Sequence, residues 1–260
     1  MYSLLMLILG VSPILAPTLG GQLLGWTGWR GIFWVLAGIG VFCTATIVWG
    51  MPESLLAANR SKGGVGLALR TYGKLIADRR FLGAALASGC TLGAIFAYLS
   101  GSSFVFIELF KLTPQQYALV FGFNALGLIA ASQISRWLLN RYTPWQVLSV
   151  AFLVNAVAGI ALVVAGATGM GGLPVIIGLL FLCLSCAGVI FPNIAAVAMA
   201  PFGEVAGSAS ALLGTVQFAL GAVSGALVGV LHNGTLVPMT AGVAGCALAG
   251  WLIMRTLVAR

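Results

Sequence analysis

Apolar residues in this chain come in long, nearly unbroken runs. They show neither the narrow stripe of a surface helix nor the alternation of a half-buried strand. Eight runs, at about 2–24, 31–51, 81–107, 115–138, 145–167, 173–199, 206–231 and 236–255, approach or exceed the roughly 20 residues a helix needs to cross the hydrocarbon core of a bilayer. A backbone in hydrocarbon must satisfy its own polar groups, so each run is predicted as helix. The expected fold class is an all-α integral membrane protein with eight transmembrane helices. One stretch breaks the pattern at length: residues 52–80, PESLLAANRSKGGVGLALRTYGKLIADRR, read as a water-soluble loop between spans. The opening run has no basic region ahead of it and is long enough to span, which argues against a cleaved signal peptide.

Charge orients the spans. The 52–80 stretch holds Arg60, Lys62, Arg70, Lys74, Arg79 and Arg80, half of the chain's 12 Lys and Arg residues. Basic loops stay on the cytoplasmic side, so this loop is expected there. Alternation then places Arg136, Arg141, Arg255 and Arg260 on the same side, with a cytoplasmic C-terminus, and leaves only Arg30 and Lys111 outside. Trp26, Trp29, Trp137, Trp145 and Trp251 fall near predicted span ends, where amphipathic rings favour the interface. Composition agrees: 61% apolar and 6% charged residues rule out a soluble domain, which runs at about 25% charged. The net charge of +8 does not point to nucleic acid, because the cations sit between spans, where they meet anionic headgroups. The 5 cysteines all lie in apolar runs, and Cys183 and Cys186, though spaced as CxxC, are read as small packing residues.

Polar residues inside the spans are few. In the first run, Pro13 and Pro17 precede Gly20 and Gly21. Each proline removes a helical N–H, so this span either tolerates proline as membrane helices do or bends there. In the third, Gly89, Gly93, Ala97 and Gly101 recur every four residues as a packing ridge, with Ser88, Thr91, Tyr98 and Ser102 on an adjoining polar face. In the seventh, Gly207, Ala211, Gly214, Gly221, Gly225 and Gly229 share a face beside Ser210, Gln217 and Ser224. Hydroxyls on such helices commonly bond their own preceding carbonyls; Tyr98 and Gln217 are expected to face a cavity instead. Asn124 and Asn155 fall mid-span, and Asn193 follows Pro192, so each amide is expected to face the bundle interior or a watery cavity. Glu53, Asp78, Glu108 and Glu204 sit at or beyond span ends, as does His232. No pair suited to acid–base catalysis and no metal-ligand cluster is visible, so the chain is not read as an enzyme and no cofactor is expected.

Several stretches resemble a known family. GVSPILAPTLGG (10–21) is similar to the fifth-helix antiporter motif of major facilitator drug:proton exporters in their bicyclomycin-resistance (Bcr/CflA) form, with Ala16 where the general pattern has Gly. GWRGIFW (28–34) and MPES (51–54) resemble the start and end of that family's sixth helix. Residues 96–127 and 192–235 resemble its seventh, eighth, tenth and eleventh helices. SRWLLNRYTP (135–144) resembles the second-half copy of the family's signature loop, keeping Arg136 and Arg141 without the usual Asp and Gly.

The resemblance implies the C-terminal portion of a twelve-helix fold, matched from the fifth helix onward. Residues 1–51 would be the last two helices of the N-terminal bundle, 52–80 the central cytoplasmic loop, and 81–260 the C-terminal six-helix bundle. It further implies export of small drug-like compounds across the bacterial inner membrane by antiport with protons. Tyr98, Asn124, Asn193 and Gln217 would line the substrate cavity, and Pro13, Pro17, Gly20 and Gly21 would shape the fifth helix. The alternative is a membrane protein that does not transport alone.

Overall fold

Three of the helices start on side-chain caps that can be read off short motifs. In the computed structural model, which describes the backbone of residues 2–50 and 65–258 and the surroundings of side chains from residue 19 onward (Gly21 and Val65 excepted), every regular element is helical. Helix α1 runs Tyr2–Gly50, α2 Val65–Ala77, α3 Arg79–Ser103, α4 Pro114–Leu138, α5 Pro144–Thr168, α6 Gly172–Met199, α7 Ala206–Val230 and α8 Val237–Ile253. Thr113 and Thr143 each open a helix in the same way, with proline at the first position. The threonine hydroxyl accepts from the backbone N–H of Gln116 or Gln146, and that glutamine's Oε1 accepts the threonine N–H at 2.9 or 3.0 Å. Asp78 caps α3 by accepting from the Phe81 N–H at 2.8 Å. Gly169 ends α5 at φ 70°, a left-handed position that glycine occupies without a Cβ penalty.

Among the described residues, six stretches are long and apolar enough to cross a membrane: Gln22–Gly50, Arg79–Leu109, Pro114–Leu138, Pro144–Thr168, Gly172–Val230 and Val237–Val258. The fifth is two helices. Both α6 and α7 pack on α3, which a straight 59-residue rod of about 88 Å could not do against a partner half its length. The chain doubles back in the 3₁₀ turn Ala200–Val205, where Phe202 leaves helical dihedrals at φ −115°, ψ 32°.

The chain divides into two units, residues 1–64 and 65–260. In the first, α1 stays helical through Pro13, Pro17, Gly20 and Gly21, and its break falls at Gly28 (φ 66°, ψ 179°), between the two expected spans. The side-chain surroundings of Pro13, Pro17 and Gly21 lie outside the described residues, and among the described residues no atom beyond Gly20's own helix backbone and chain neighbours comes within 4 Å of where a Cβ on Gly20 would stand.

In the second unit α3 is the hub, packed against α7, α8 and α6, while α5 bridges α6 and α8 and α4 lies on α6. The expected ridge on α3 is the reason. Gly89 lies against Leu220 and Val216 of α7, Gly93 between Ser224 and Cys246, and Gly101 against Met239 of α8. Small residues let membrane helices approach closely, where dispersion does the work because the surrounding lipid is as apolar as the interface. The ridge on α7 is shorter than its spacing suggests: Gly221 and Gly225 meet Phe96 and Ser100, whereas Gly207, Gly214 and Gly229 face open space.

The 52–80 stretch is not irregular throughout. Residues 65–77 form helix α2, because Ala68, Tyr72 and Leu75 recur at helical spacing and dock on the bundle, with Leu75 buried while Arg70 and Lys74 remain exposed. Of the cations that set the expected orientation, Arg60 and Lys62 lie outside the described residues. Arg79 and Arg80 occupy the first turn of α3, and Arg136 and Arg141 flank the end of α4.

Candidate functional site

Because the small face of α3 turns toward α7 and α8, its Tyr98 and Ser102 are left to meet α4. The Tyr98 hydroxyl accepts a hydrogen bond from Asn124 Nδ2 at 3.1 Å, and both residues are buried. The Tyr98 ring stacks on Phe121, with centroids 6.1 Å apart and planes 22° apart. One turn along α3, the Ser102 and Tyr117 hydroxyls share a hydrogen bond of 2.9 Å. Tyr117 in turn packs against Phe106 and Phe121 at 6.1 and 6.4 Å. Two polar bridges set in aromatic rings therefore join α3 to α4.

The inner bridge is incomplete. Among the described residues, Asn124 Oδ1 is buried without a hydrogen-bond partner. Rotating the amide by half a turn would exchange the atom facing Tyr98 and leave the other end open. An open amide end costs about 1–3 kcal/mol where water is excluded, so it marks a place where a ligand's polar group gains by arriving. Among the described residues, Asn155 Oδ1 and Ser185 Oγ are buried in the same unsatisfied way.

Asn193 is placed differently. Its Nδ2 donates to Ser135 Oγ of α4 at 2.6 Å and to the Val189 carbonyl at 2.7 Å, so it braces α6 against α4. Just before it, the Gly188 backbone lies against the Leu128 carbonyl of α4. Ser135 is three turns from Asn124, about 16 Å along α4, so Asn193 and the Tyr98–Asn124 pair are separate constellations. Gln217 is half-buried on α7 and makes no hydrogen bond among the described residues. The structure thus brings together two of the four expected cavity residues.

Sequence reasoning passed over Tyr117 and Ser135. A signal for them existed: Tyr117, Asn124 and Ser135 are spaced 7 and 11 apart, which puts all three on one face of α4. Most span hydroxyls did follow the blander expectation. Ser88, Thr91 and Ser210 bond the carbonyls of Ala85, Ala87 and Gly207 on their own helices.

None of the four residues lines the apolar cavity of about 400 Å³ between α4, α5 and α6, whose walls include Ala131, Leu138, Val150, Leu182 and Val189. A second cavity, of about 370 Å³, lies where α3 begins, among Asp78, Arg80, Trp145 and Phe202. Among the described residues no group of His, Cys, Asp and Glu is arranged to hold a metal ion.

Known proteins share this sequence over most of its length. The uncharacterized MFS-type transporter YdgK of Bacillus subtilis is 34% identical over 242 residues, covering 92% of this chain and 60% of the relative. The bicyclomycin resistance protein homolog of Haemophilus influenzae is 26% identical over 258 residues, covering 99% of this chain and 65% of its own length. The multidrug resistance protein MdtL of Klebsiella pneumoniae is 25% identical over 215 residues, covering 83% and 53%. The chain therefore spans between about half and two thirds of the relatives it matches. The family model for the Major Facilitator Superfamily matches residues 1–226. With that match on an all-helical, multi-pass membrane architecture, the chain belongs to the Major Facilitator Superfamily.

Proposed function

We propose that this chain forms the larger part of a twelve-span exporter that moves small drug-like compounds, of the bicyclomycin, chloramphenicol or sulfonamide kind, out across a bacterial inner membrane in exchange for protons. Members of the superfamily are transporters, not enzymes. The names of two relatives, a bicyclomycin resistance homolog and a multidrug resistance protein, support the substrate class. In this reading residues 1–51 complete one helical bundle, 52–80 connect the bundles on the cytoplasmic face, and 81–260 form the second bundle, with the C-terminus also cytoplasmic. The relatives' greater length supports further spans acting with these, because alternating access uses two opposed bundles.

The observation that carries the binding role is the open acceptor on Asn124, held by Tyr98 among aromatic rings. An apolar, aromatic wall gives broad affinity through area, and one fixed amide orients whatever binds. Gln217 would add a further polar group, Asn193 would hold α6 against α4, and Pro13, Pro17, Gly20 and Gly21 would shape α1. The test is resistance to a broad compound panel in cells stripped of their own drug pumps, with the chain produced together with the part of a relative that it does not match. Asn124→Ala should change which compounds are resisted at unchanged membrane insertion. Identical resistance profiles for Asn124→Ala, Tyr98→Phe and the parent would remove this site from the reading.

A membrane protein that does not transport alone is the second reading. What favours it is the placement of the described acids: Asp78 caps α3, Glu108 is exposed in the π-helical turn Phe104–Leu109, and Glu204 is exposed in the 3₁₀ turn after α6. Proton-coupled carriers use carboxylates within the membrane. Cells producing only residues 1–260 would then accumulate as much drug as cells without the chain.

A further inference from the structure

The cavity between α4, α5 and α6 exposes only apolar atoms, although Ser185 stands in its wall, and the turn between α4 and α5 closes one end of it. Val150 and Leu182, on facing helices, are 62% and 41% exposed along it, so it opens sideways into whatever surrounds the bundle. Around a membrane-spanning bundle that surrounding is lipid. A water occupies about 30 Å³ and a methylene is of similar size, so about 400 Å³ accommodates roughly a dozen such groups, the scale of one acyl chain.

One end is formed by the turn between α4 and α5. Tyr142 and Gln146 line it, and Gln146 spends its Oε1 on the Thr143 N–H and hydroxyl, which leaves its amide N–H groups free to donate. Arg141 is exposed in the same turn, its guanidinium 5.8 Å from the centre of the Trp137 ring, with no carboxylate partner among the described residues. An exposed cation therefore stands in the turn whose Tyr142 and Gln146 line a groove fit for hydrocarbon.

We propose that this groove seats one acyl chain of an anionic phospholipid, whose phosphate is held at the Leu138–Thr143 turn by Arg141 and Gln146. Apolar area supplies no preference there, because lipid tails find the bilayer as apolar as the groove. Selectivity must come from the headgroup, and one basic residue near a phosphate is worth about a fivefold preference for an anionic lipid. Under the orientation proposed above, the lipid belongs to the cytoplasmic leaflet. The inference does not depend on the export reading.

The experiment is native mass spectrometry of the full 260-residue chain, delipidated in detergent and offered phosphatidylglycerol and phosphatidylcholine with identical tails. The parent chain should retain phosphatidylglycerol about fivefold better. Arg141→Gln should bring the ratio close to one while leaving Arg79, Arg80 and Arg255 in place, which separates this site from the chain's general positive charge. Val150→Phe and, separately, Leu182→Phe, both at exposed positions, should fill the groove and abolish the preference with helical content unchanged. Equal retention of the two lipids by the parent, or an undiminished preference in the Arg141 variant or in both filled variants, overturns the proposal. So does loss of the bound lipid to a drug-like amphiphile, which would make the groove a substrate pocket. A dimer that the filled variants convert to monomer would assign the groove to a second copy of the chain and overturn it as well.

Discussion

At Gly188 of α6 the backbone of α4 comes close enough to make a measurable prediction. A Cβ added there would meet the Leu128 carbonyl oxygen and lie 3.0 and 3.2 Å from the Leu128 carbonyl carbon and the Ser132 nitrogen. All three are backbone atoms of α4, so no side chain can swing aside and the helices must part. A gap of even 0.5–1 Å forfeits a quarter to a half of the dispersion energy of each affected contact, and overpacking of this kind typically costs about 1–3 kcal/mol. Gly178 lies on the same helix, and among the described residues no atom beyond its own helix backbone and chain neighbours comes within 4 Å of its Cβ position. There alanine should be neutral or stabilising by up to about 1 kcal/mol, the usual difference in helix propensity. Gly188→Ala and Gly178→Ala are therefore expected to differ by about 1–4 kcal/mol in opposite directions from the parent. At roughly 2–4 °C per kcal/mol for a chain of this size, their melting temperatures in detergent should stand at least about 2 °C apart. If Gly188→Ala melts with or above the parent while Gly178→Ala melts below it, the α4–α6 seam is not packed as described.

Tyr98→Phe should cost about 0.6–2 kcal/mol, because it strips the remaining partner from the Asn124 amide; adding Asn124→Leu should cost less than the sum of the single changes, a coupling that a double-mutant cycle in mixed micelles reads directly. Thr113→Ala and Thr143→Ala should each lose about 0.5–2 kcal/mol by opening the helix caps, with serine restoring most of it; faster hydrogen exchange confined to the first turn of α4 or α5 is the accompanying sign, and unchanged exchange would count against the caps. Lys111 stands at φ 57° in the turn ahead of α4, so Lys111→Gly should relieve about 1 kcal/mol of backbone strain and raise the melting temperature slightly, whereas Lys111→Val should lower it.

The span positions were legible in the chain because length and apolarity are local properties, and hydrocarbon leaves the backbone little choice but helix. Caps were legible too: Thr-Pro-x-Gln at 113–116 and 143–146 closes on itself within four residues. The α3 ridge showed in its four-residue spacing. What the sequence left open was which face meets protein and which meets lipid, since both are apolar and neither carries the polarity contrast that marks the inside of a soluble helix. So Gly207 and Gly221 read alike, yet only Gly221 meets a neighbour. Asn193 and Asn124 read alike, yet one is satisfied by Ser135 and the other keeps an open acceptor. Residues 65–77 were hidden by the charges around them until a docking surface for Leu75 existed. These outcomes depend on partners tens of residues away, brought together only when the helices pack.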